Sequence, residues 1–386
     1  MKVILSIDAV RFPLTGIGRY TYELARQLPD EAYGLDLRLM AGSHFVGQLP
    51  AETSSSNPAQ GKSLAIRLRR GLQNSAWAVT AHRAWLASQQ ACALKDHEDA
   101  VLHGPQFYLP RFGGRSVVTI HDLSVFSWAH CHPGGRARMM QREIVKSVER
   151  AAMVLTDSEY TRQEVAAFFS LAPDKIRAVP LASAECFRLH TRQELNAVLP
   201  RLGLQAGAYC LYSGTIEPRK NIGALLDAYW ALPAALRTRW PLVLCGYQGW
   251  QSEALHTRIR QAENEGWVRY LGYVSSEDLP HVFAGARLFA FPSLYEGFGL
   301  PVLEAMASGV PVVCSNSSSL PEVAGGAALM CAPDDTDGLA TLLQRGLEDD
   351  GWRAEAQKLG LQQATRFSWA RCAAQTGDAY RAVRGG

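Results

Sequence analysis

Two glutamates lie eight positions apart, at Glu296 and Glu304, on either side of a glycine-containing segment. A strand is predicted to end near Pro292, and Pro301 is well suited to be the first residue of a helix. Backbone N–H groups between them should gather at a helix N-terminus, where unpaired donors and the helix dipole favour a phosphate group. The glycines allow the backbone to approach a ligand closely. The predicted phosphate-binding N–H groups belong to Gly297, Phe298, Gly299 and Leu300.

The two carboxylates indicate a second kind of recognition. Carboxylates are poor ligands for phosphate but good acceptors for the hydroxyl groups of a sugar or a ribose. Glu296 on the loop and Glu304 on the first turns of the helix can both face one cleft. Together with the phosphate site they favour a nucleotide-sugar as ligand. The alternative is that Glu304 only complements the positive end of the helix dipole.

A second strand end carries two cations. Arg219 and Lys220 follow Gly214 in the segment 213–221, just before a predicted helix. Cations are locally unfavourable at a helix N-terminus, and a bound anion would resolve that conflict. The alternative is a loop whose charges are simply solvated.

Two further motifs lie in the N-terminal half. Gly16 and Gly18 stand between the first predicted strand and the first helix, a weak signal that still places flexible backbone where ligands bind in parallel α/β sheets. His121 and Asp122 end another predicted strand, and a histidine there is a candidate general base. A histidine buried in the core is the competing interpretation.

Composition limits the class of protein. The 386 residues are enough for two domains. A net charge of +3 is too small to imply nucleic acid, and no aromatic-and-basic array resembles a nucleic-acid module, so no nucleic-acid partner is expected. Short apolar runs alternate with helical patterns along the chain, which predicts parallel sheets covered by helices. The alternation stops between Leu181 and Gly207, where we place the linker between domains. His130 and His132 lack a further ligand at suitable spacing, so no metal site is predicted.

The sequence also bears on location. It has neither a signal-peptide pattern nor about 20 consecutive apolar residues, so a cytoplasmic protein is expected. Residues 62–94 combine the basic cluster Arg67, Arg69 and Arg70 with leucines and tryptophans. This segment is either a basic amphipathic helix on the inner face of the cell membrane or an ordinary helix with a solvated basic face.

Taken in order, five motifs resemble the retaining glycosyltransferases of family 4, which have the GT-B fold, and the resemblance spans nearly the whole chain. It therefore implies an α/β protein of two facing Rossmann-like domains with parallel sheets. Residues 1–185 would form the acceptor-binding domain, completed by a crossover helix within 367–386, and residues 205–366 the donor-binding domain. The motifs are Gly16 to Tyr20, His121-Asp122, Gly214 to Asn221, Glu296 to Glu304 and Pro321 to Gly326.

The resemblance also assigns roles to residues. Arg219 and Lys220 would neutralise the diphosphate leaving group, Glu304 would accept from the ribose, and Glu296 would contact the donor sugar. Gly16, Gly18 and Gly214 would lie at the diphosphate, and His121 beside the transferred sugar. One departure is Thr215, where many relatives have arginine, so one diphosphate contact is in question, and Arg219 is expected to compensate for it.

The implied activity is transfer of a hexose with retention and without a metal ion or other cofactor. The motif forms look most like bacterial enzymes that transfer mannose, or a deoxyhexose such as rhamnose, often from a GDP-sugar. The acceptor would be a saccharide or a lipid-linked oligosaccharide in O-antigen and other surface polysaccharide synthesis. Two alternatives remain open: a nucleotide-sugar epimerase of the same fold, and a non-catalytic subunit that binds a nucleotide-sugar.

Overall fold

Two β-sheets, one in each half of the chain, carry the architecture. The computed structural model describes residues 1–28, 34–51, 87–132 and 134–385. The first sheet has the strand order β3-β2-β1-β4-β5-β6-β7, and every neighbouring pair is parallel except β2 and β3. Its strands are β1 (Lys2–Ser6), β2 (Asp36–Ala41), β3 (His44–Val46), β4 (Val101–Gly104), β5 (Arg115–Ile120), β6 (Met153–Thr156) and β7 (Ile176–Ala178).

The second sheet is parallel throughout. Its strand order is β10-β9-β8-β11-β12-β13. The central strands are continuous apolar runs with every residue buried, as expected for strands covered by helices on both faces. The strands are β8 (Cys210–Ser213), β9 (Leu242–Cys245), β10 (Val268–Gly272), β11 (Leu288–Phe291), β12 (Val312–Ser315) and β13 (Ala328–Cys331).

Helices connect these strands and cover the sheets. Those of the first half are α1 (Gly16–Gln27), α2 (Ser124–Ser127), α3 (Gly134–Arg150) and α4 (Glu159–Phe169), and residues 87–94 are also helical. Those that follow are α5 (Arg192–Val198), α6 (Ile222–Ala231), α7 (Ala234–Arg239), α8 (Glu253–Asn264), α9 (Leu279–Ala284), α10 (Leu300–Ala307), α11 (Leu320–Ala324), α12 (Thr336–Glu348), α13 (Asp350–Ala364) and α14 (Trp369–Gly385).

Each sheet reverses its strand order once. In the first sheet β1 lies between β2 and β4, and in the second β8 lies between β9 and β11. The loops after β1 and β8 therefore diverge from those of the next strand, which opens a crevice at the carboxyl ends of the strands. The glycine motif after β1 and the cationic motif after β8 both lie at such a reversal.

The last helix crosses back to the first sheet, as predicted. The Tyr380 hydroxyl of α14 lies 2.7 Å from His103 Nδ1 on β4, and His103 Nε2 lies 2.8 Å from the Thr119 hydroxyl on β5. The rings of Trp369 and Tyr20 also pack together. Because these side chains are all buried, α14 forms part of the N-terminal domain's core.

Three strands were not predicted from the sequence. β2 and β13 join the parallel pattern, but β3 pairs antiparallel with β2, which corrects the expectation of a purely parallel sheet. Charged residues interrupt β2, at Asp36 and Arg38, because this strand lies near the edge of the sheet and is only partly buried. The predicted linker, 181–207, contains no strand, as expected.

The membrane prediction falls largely outside the described residues. Arg67, Arg69 and Arg70 belong to the stretch 52–86, for which the structure gives no description. Within the described ranges, no helix is both long enough and apolar enough to span a bilayer.

Candidate functional site

A buried cluster of charges joins the two main motifs of the second half. Lys220 Nζ lies 2.6 Å from Glu296 Oε1, and Arg219 Nη1 lies 3.3 Å from Glu296 Oε2. The side chains of Lys220 and Glu296 are only 13% and 9% exposed. Residues that are 76 positions apart in sequence thus form one ion cluster at the carboxyl end of the second sheet.

Arg219 forms hydrogen bonds to both the 213–221 segment and the loop that carries Glu296. It donates from Nη1 to the Tyr295 carbonyl at 2.6 Å and from Nη2 to Glu217 at 3.0 Å, while its own carbonyl accepts from Leu294 N–H. Only Nε lacks a partner among the described residues. Arg219 therefore cannot take over the diphosphate-binding role of an arginine at position 215, where this chain has Thr215, without giving up some of these bonds.

The charges inside the cluster shift one another's protonation. Burial lowers the pKa of Lys220, and the neighbouring Arg219 lowers it further, against the attraction of Glu296. Burial acts to raise the pKa of Glu296, but Lys220 and Arg219 outweigh it, and the pKa lies below its ordinary value. Glu296 is therefore ionised. Its carboxylate holds the Lys220 ammonium group in place, where that group can also bind an anionic ligand.

The N-terminus of α10 has the predicted phosphate-binding form. No side chain caps it, and Gly299 precedes it with φ of 100°, where a Cβ would meet Leu320 at 2.5 Å. The N–H groups of residues 297–300 make no hydrogen bond within the described part of the chain. Four donors at the positive end of a helix dipole are thus free for an anion.

Glu304 is a candidate ligand-binding residue because its side chain is buried and its carboxyl group makes no hydrogen bond to the described residues. Burial raises the pKa of Glu304 to about 8, and the charge of Arg19, from the opposite domain, only partly offsets this. The carboxyl oxygens of Glu304 are not among the fully buried, unpartnered atoms of the described residues, so they remain open to a hydrogen-bond donor on a ligand.

The ring of His121 is hydrogen-bonded on both sides, which the sequence did not predict. Its Nδ1 lies 2.7 Å from Asp157 and its Nε2 lies 2.8 Å from the Pro105 carbonyl, so neither ring nitrogen is free. Burial acts to lower the pKa of His121, but the Asp157 carboxylate outweighs it and the pKa is raised. In this arrangement both ring nitrogens are hydrogen-bonded, so a general-base role would require one of these bonds to break, and the role of His121 stays a prediction.

The backbone of His121 nevertheless lies at the predicted centre. A Cβ added to Gly297 would be 1.8 Å from the His121 carbonyl oxygen, so only glycine permits this approach between the domains. The Gly297 carbonyl also accepts from Ser158 at 2.7 Å and Thr161 at 2.9 Å, at the start of α4. The structure therefore brings the His121 motif and the Glu296 loop together.

The remaining predicted glycines line the two loops. Gly16 begins α1 with open space around it, and Gly18 lies against the Ala9 carbonyl. Gly214 follows β8 directly and packs against Gly246, the residue after β9. None of these positions by itself shows a ligand contact, so their role in donor binding stays a prediction.

Asp157 and Ser158 were not singled out from the sequence, and Glu322 was named only as part of the Pro321 to Gly326 motif, without a role. Glu322 accepts from the N–H groups of Glu159 and Tyr160, at 3.0 and 3.2 Å, and so caps helix α4 of the other domain. Asp157 and Ser158 follow a buried strand, which was an available signal. The domain-spanning role of Glu322 had no local signal, because its partners lie 163 and 162 positions away.

The described residues contain no group of three or more potential metal ligands. The metal-free chemistry expected from the sequence stays a prediction.

Models of known protein families match both halves of the chain. Residues 14–182 match the model of Glycosyltransferase Family 4, and residues 204–364 match Glycosyl transferases group 1. The chain is 43% identical over 384 residues to the O-antigen chain mannosyltransferase B of Escherichia coli, covering 99% of this chain and 100% of that protein. It is 36% identical over 231 residues to the serotype-specific mannosyltransferase WbdA of the same species, covering 58% of this chain and 28% of WbdA.

Solved structures show the same fold. Anabaena HepE in complex with UDP and glucose has a TM-score of 0.72 at 16% identity, with 98% of each chain covered. WaaG, a glycosyltransferase involved in lipopolysaccharide biosynthesis, has a TM-score of 0.68 at 14% identity, covering 98% of this chain and 99% of WaaG. With the likeness to the mannosyltransferase extending over its whole length, the chain belongs to glycosyltransferase family 4 and has the GT-B fold.

Proposed function

We propose that this glycosyltransferase moves a mannosyl group from GDP-mannose to a saccharide acceptor on a lipid carrier, with retention, during O-antigen synthesis. The observation that carries the proposal is the 43% identity to an O-antigen chain mannosyltransferase over the full length of both chains. A GDP-linked deoxyhexose such as rhamnose is the second candidate donor.

The site supports a nucleotide-sugar donor. The free N–H groups before α10 and the cation of Lys220 suit the diphosphate, and the unpaired carboxyl group of Glu304 suits the ribose hydroxyls. Tyr247 and Tyr273 follow β9 and β10 beside the Gly214 loop, with stacked rings 4.8 Å apart and about half exposed. Such a pair offers a stacking surface to the base. Stacking does not select guanine, so the choice of GDP rests on the relatives.

The proposed chemistry follows from the charges. The bond from the anomeric carbon to the phosphate oxygen breaks, and the acceptor hydroxyl oxygen forms the new bond on the same face of the sugar. The hydroxyl proton passes to the departing phosphate oxygen. Lys220 and the α10 N–H groups stabilise the negative charge that grows on the diphosphate. Glu296, bound to Lys220 and Arg219, is held as an acceptor for the sugar hydroxyls.

Measuring the release of GDP with and without an acceptor distinguishes the proposed function from two others. An epimerase would convert the donor without an acceptor, and a non-catalytic subunit would bind the donor without turnover. Under the proposal, GDP is released at a substantial rate only when donor and acceptor are both present.

The test is a donor screen with GDP-mannose, GDP-rhamnose, UDP-glucose and ADP-glucose, using wild type and Glu304→Gln. We expect GDP-mannose to stabilise the wild-type protein by roughly 2.7 kcal/mol at a hundredfold excess over its dissociation constant, and the variant less. NMR of the product should show the α-anomer of the GDP-mannose donor retained. Turnover with UDP-glucose but not with any GDP-sugar would overturn the donor assignment.

Membrane contact through residues 62–94, on the cytoplasmic face, belongs to the same proposal because the acceptor is lipid-linked. Liposome binding that is insensitive to the content of anionic lipid would count against it.

A further inference from the structure

The outer side of the C-terminal domain carries a small aromatic groove that the donor site does not use. It lies between helices α6 and α8 and encloses about 170 Å³. Trp230 stands at its edge with 55% of its surface exposed, the most exposed large hydrophobic side chain of the described residues. A single exposed apolar side chain is common on protein surfaces, but this one borders a groove that charged and polar side chains also line.

The ring of Trp230 is held rigidly. The Arg237 guanidinium lies 4.2 Å from the ring centroid, and Trp267 packs at 5.7 Å with an angle of 47° between the planes. Trp267 is itself buried and stacks on Tyr229. An aromatic surface that is fixed before binding loses little conformational entropy when a ligand stacks on it.

Hydrogen-bonding side chains surround this ring. Glu265 accepts from the Trp267 indole at 2.8 Å and from Gln261 at 3.3 Å, which orients its carboxylate at the rim. Arg258 and Asp227 form an ion pair on the same rim. The groove is thus one aromatic face bordered by acceptors and donors, which is the arrangement that recognises a sugar ring through its C–H face and its hydroxyl groups.

Charge and size select among ligands. The groove and its supporting arginine contain two negative side chains, Asp227 and Glu265, and two positive ones, Arg237 and Arg258. Their charges sum to zero, so neither a phosphate nor a basic peptide is favoured. The volume is below the roughly 300–1,000 Å³ of sites for drug-sized ligands, so it accommodates one ring rather than a nucleotide.

The groove is separate from the donor site. Helix α6 begins at Ile222, two residues after Lys220, and Trp230 lies eight residues further along it. At about 1.5 Å per residue this is roughly 12 Å along the helix axis. A ligand in the groove therefore does not occupy the donor site.

We propose that this groove is a second saccharide-binding site, which holds one hexose unit of a neutral oligosaccharide chain away from the reaction centre. The choice of a mannose chain as its ligand rests on the proposed function, while the stacking site does not. Holding a distant unit of the growing chain would raise the local concentration of its acceptor end at the active site.

The test is affinity electrophoresis of the full-length protein in native gels with and without soluble α-mannan. We expect mannan to retard the wild-type protein. Trp230→Ala should weaken the apparent affinity about tenfold, and Trp230→Phe, which keeps an aromatic face, should retain most of it. Phe168→Ala is the matched control, because Phe168 is 52% exposed but lies on the other domain.

A second pair of variants separates this proposal from the proposed function. Lys220→Ala should bind mannan like the wild type although its turnover is lost, and Asp227→Asn should weaken binding without changing the fold. Mannan binding by the wild type without any sugar transfer would sink the proposed function and leave the groove assignment standing. Equal retardation of wild type and Trp230→Ala, or none of either, overturns the groove assignment. So does a Trp230→Ala variant that loses self-association, measured by sedimentation, while its mannan binding is unchanged.

Discussion

Replacing Lys220 with alanine should affect stability and turnover by separable amounts. The change leaves the Glu296 carboxylate buried beside only one cation, Arg219, whose Nη1 lies 3.3 Å away. Removing one partner of a buried ion pair costs about 3–5 kcal/mol, and because Arg219 still neutralises part of the Glu296 charge, we expect a loss of about 3 kcal/mol. At about 2–4 °C per kcal/mol, the midpoint of thermal unfolding of this domain should fall by roughly 6–12 °C.

The loss of activity has a different origin. Lys220 supplies charge to the departing diphosphate, and removing one such group typically lowers kcat by about 10²–10³-fold. The double variant Lys220→Ala/Glu296→Gln removes both charges and should recover most of the stability, because no unpaired charge remains buried. Its turnover should stay at or below that of Lys220→Ala.

The assay pairs thermal unfolding with steady-state release of GDP at a temperature where every variant is folded. The reasoning is refuted if the double variant melts like Lys220→Ala, since the ion pair would then not explain the loss. It is equally refuted if the double variant regains turnover, since the defect of the single variant would then have been one of folding.

Three more outcomes follow from the site and the core. Gly297→Ala should lower activity more than a hundredfold, because its Cβ would meet the His121 carbonyl at 1.8 Å. The control Gly135→Ala, with open space around it, should behave like the wild type in activity and in small-angle scattering. Burial raises the pKa of Glu304 to about 8, so between about pH 4.5 and 8 the native state binds one more proton than the unfolded state. The free energy of unfolding should therefore fall as pH rises through this range, by at most about 1.4 kcal/mol per pH unit. In denaturant titrations, Glu304→Gln should lack this pH dependence. Burial lowers the pKa of His103 to about 3, so here the unfolded state binds the extra proton and stability should fall as pH drops below about 6.5; a His103→Gln variant that kept the same acid dependence would contradict this.

The central strands of the second sheet are the clearest of those that the sequence predicts. β9 and β11 are uninterrupted apolar runs, and the sequence predicts them as strands over 242–245 and 288–291, the bounds that the structure shows. β2 was missed because Asp36 and Arg38 interrupt its apolar residues, as is common near the edge of a sheet. β13 was also missed; it is a short apolar run at the edge of the second sheet whose residues are only half buried.

The site was predicted as a set of positions rather than as a set of contacts. Lys220 and Glu296 were each expected at the donor site, but their binding to each other depends on two loops that meet only in the folded sheet. His121 was expected to act through its ring, yet Asp157, 36 positions away, occupies one ring nitrogen and the Pro105 carbonyl the other. Long-range pairing of this kind leaves no local pattern, which is why strand ends could be predicted and protonation partners could not.

The crossing of α14 has a consequence for synthesis on the ribosome. The N-terminal domain needs Trp369 and Tyr380 in its core, and both are made after the whole second sheet. Domains generally fold as units while the chain emerges. The second domain can therefore complete its fold first, while the first waits with its surface around His103 uncovered. The domain that is synthesised first then completes its fold last. Until α14 has been made, its uncovered surface around His103 is where we expect a chaperone to bind the nascent chain.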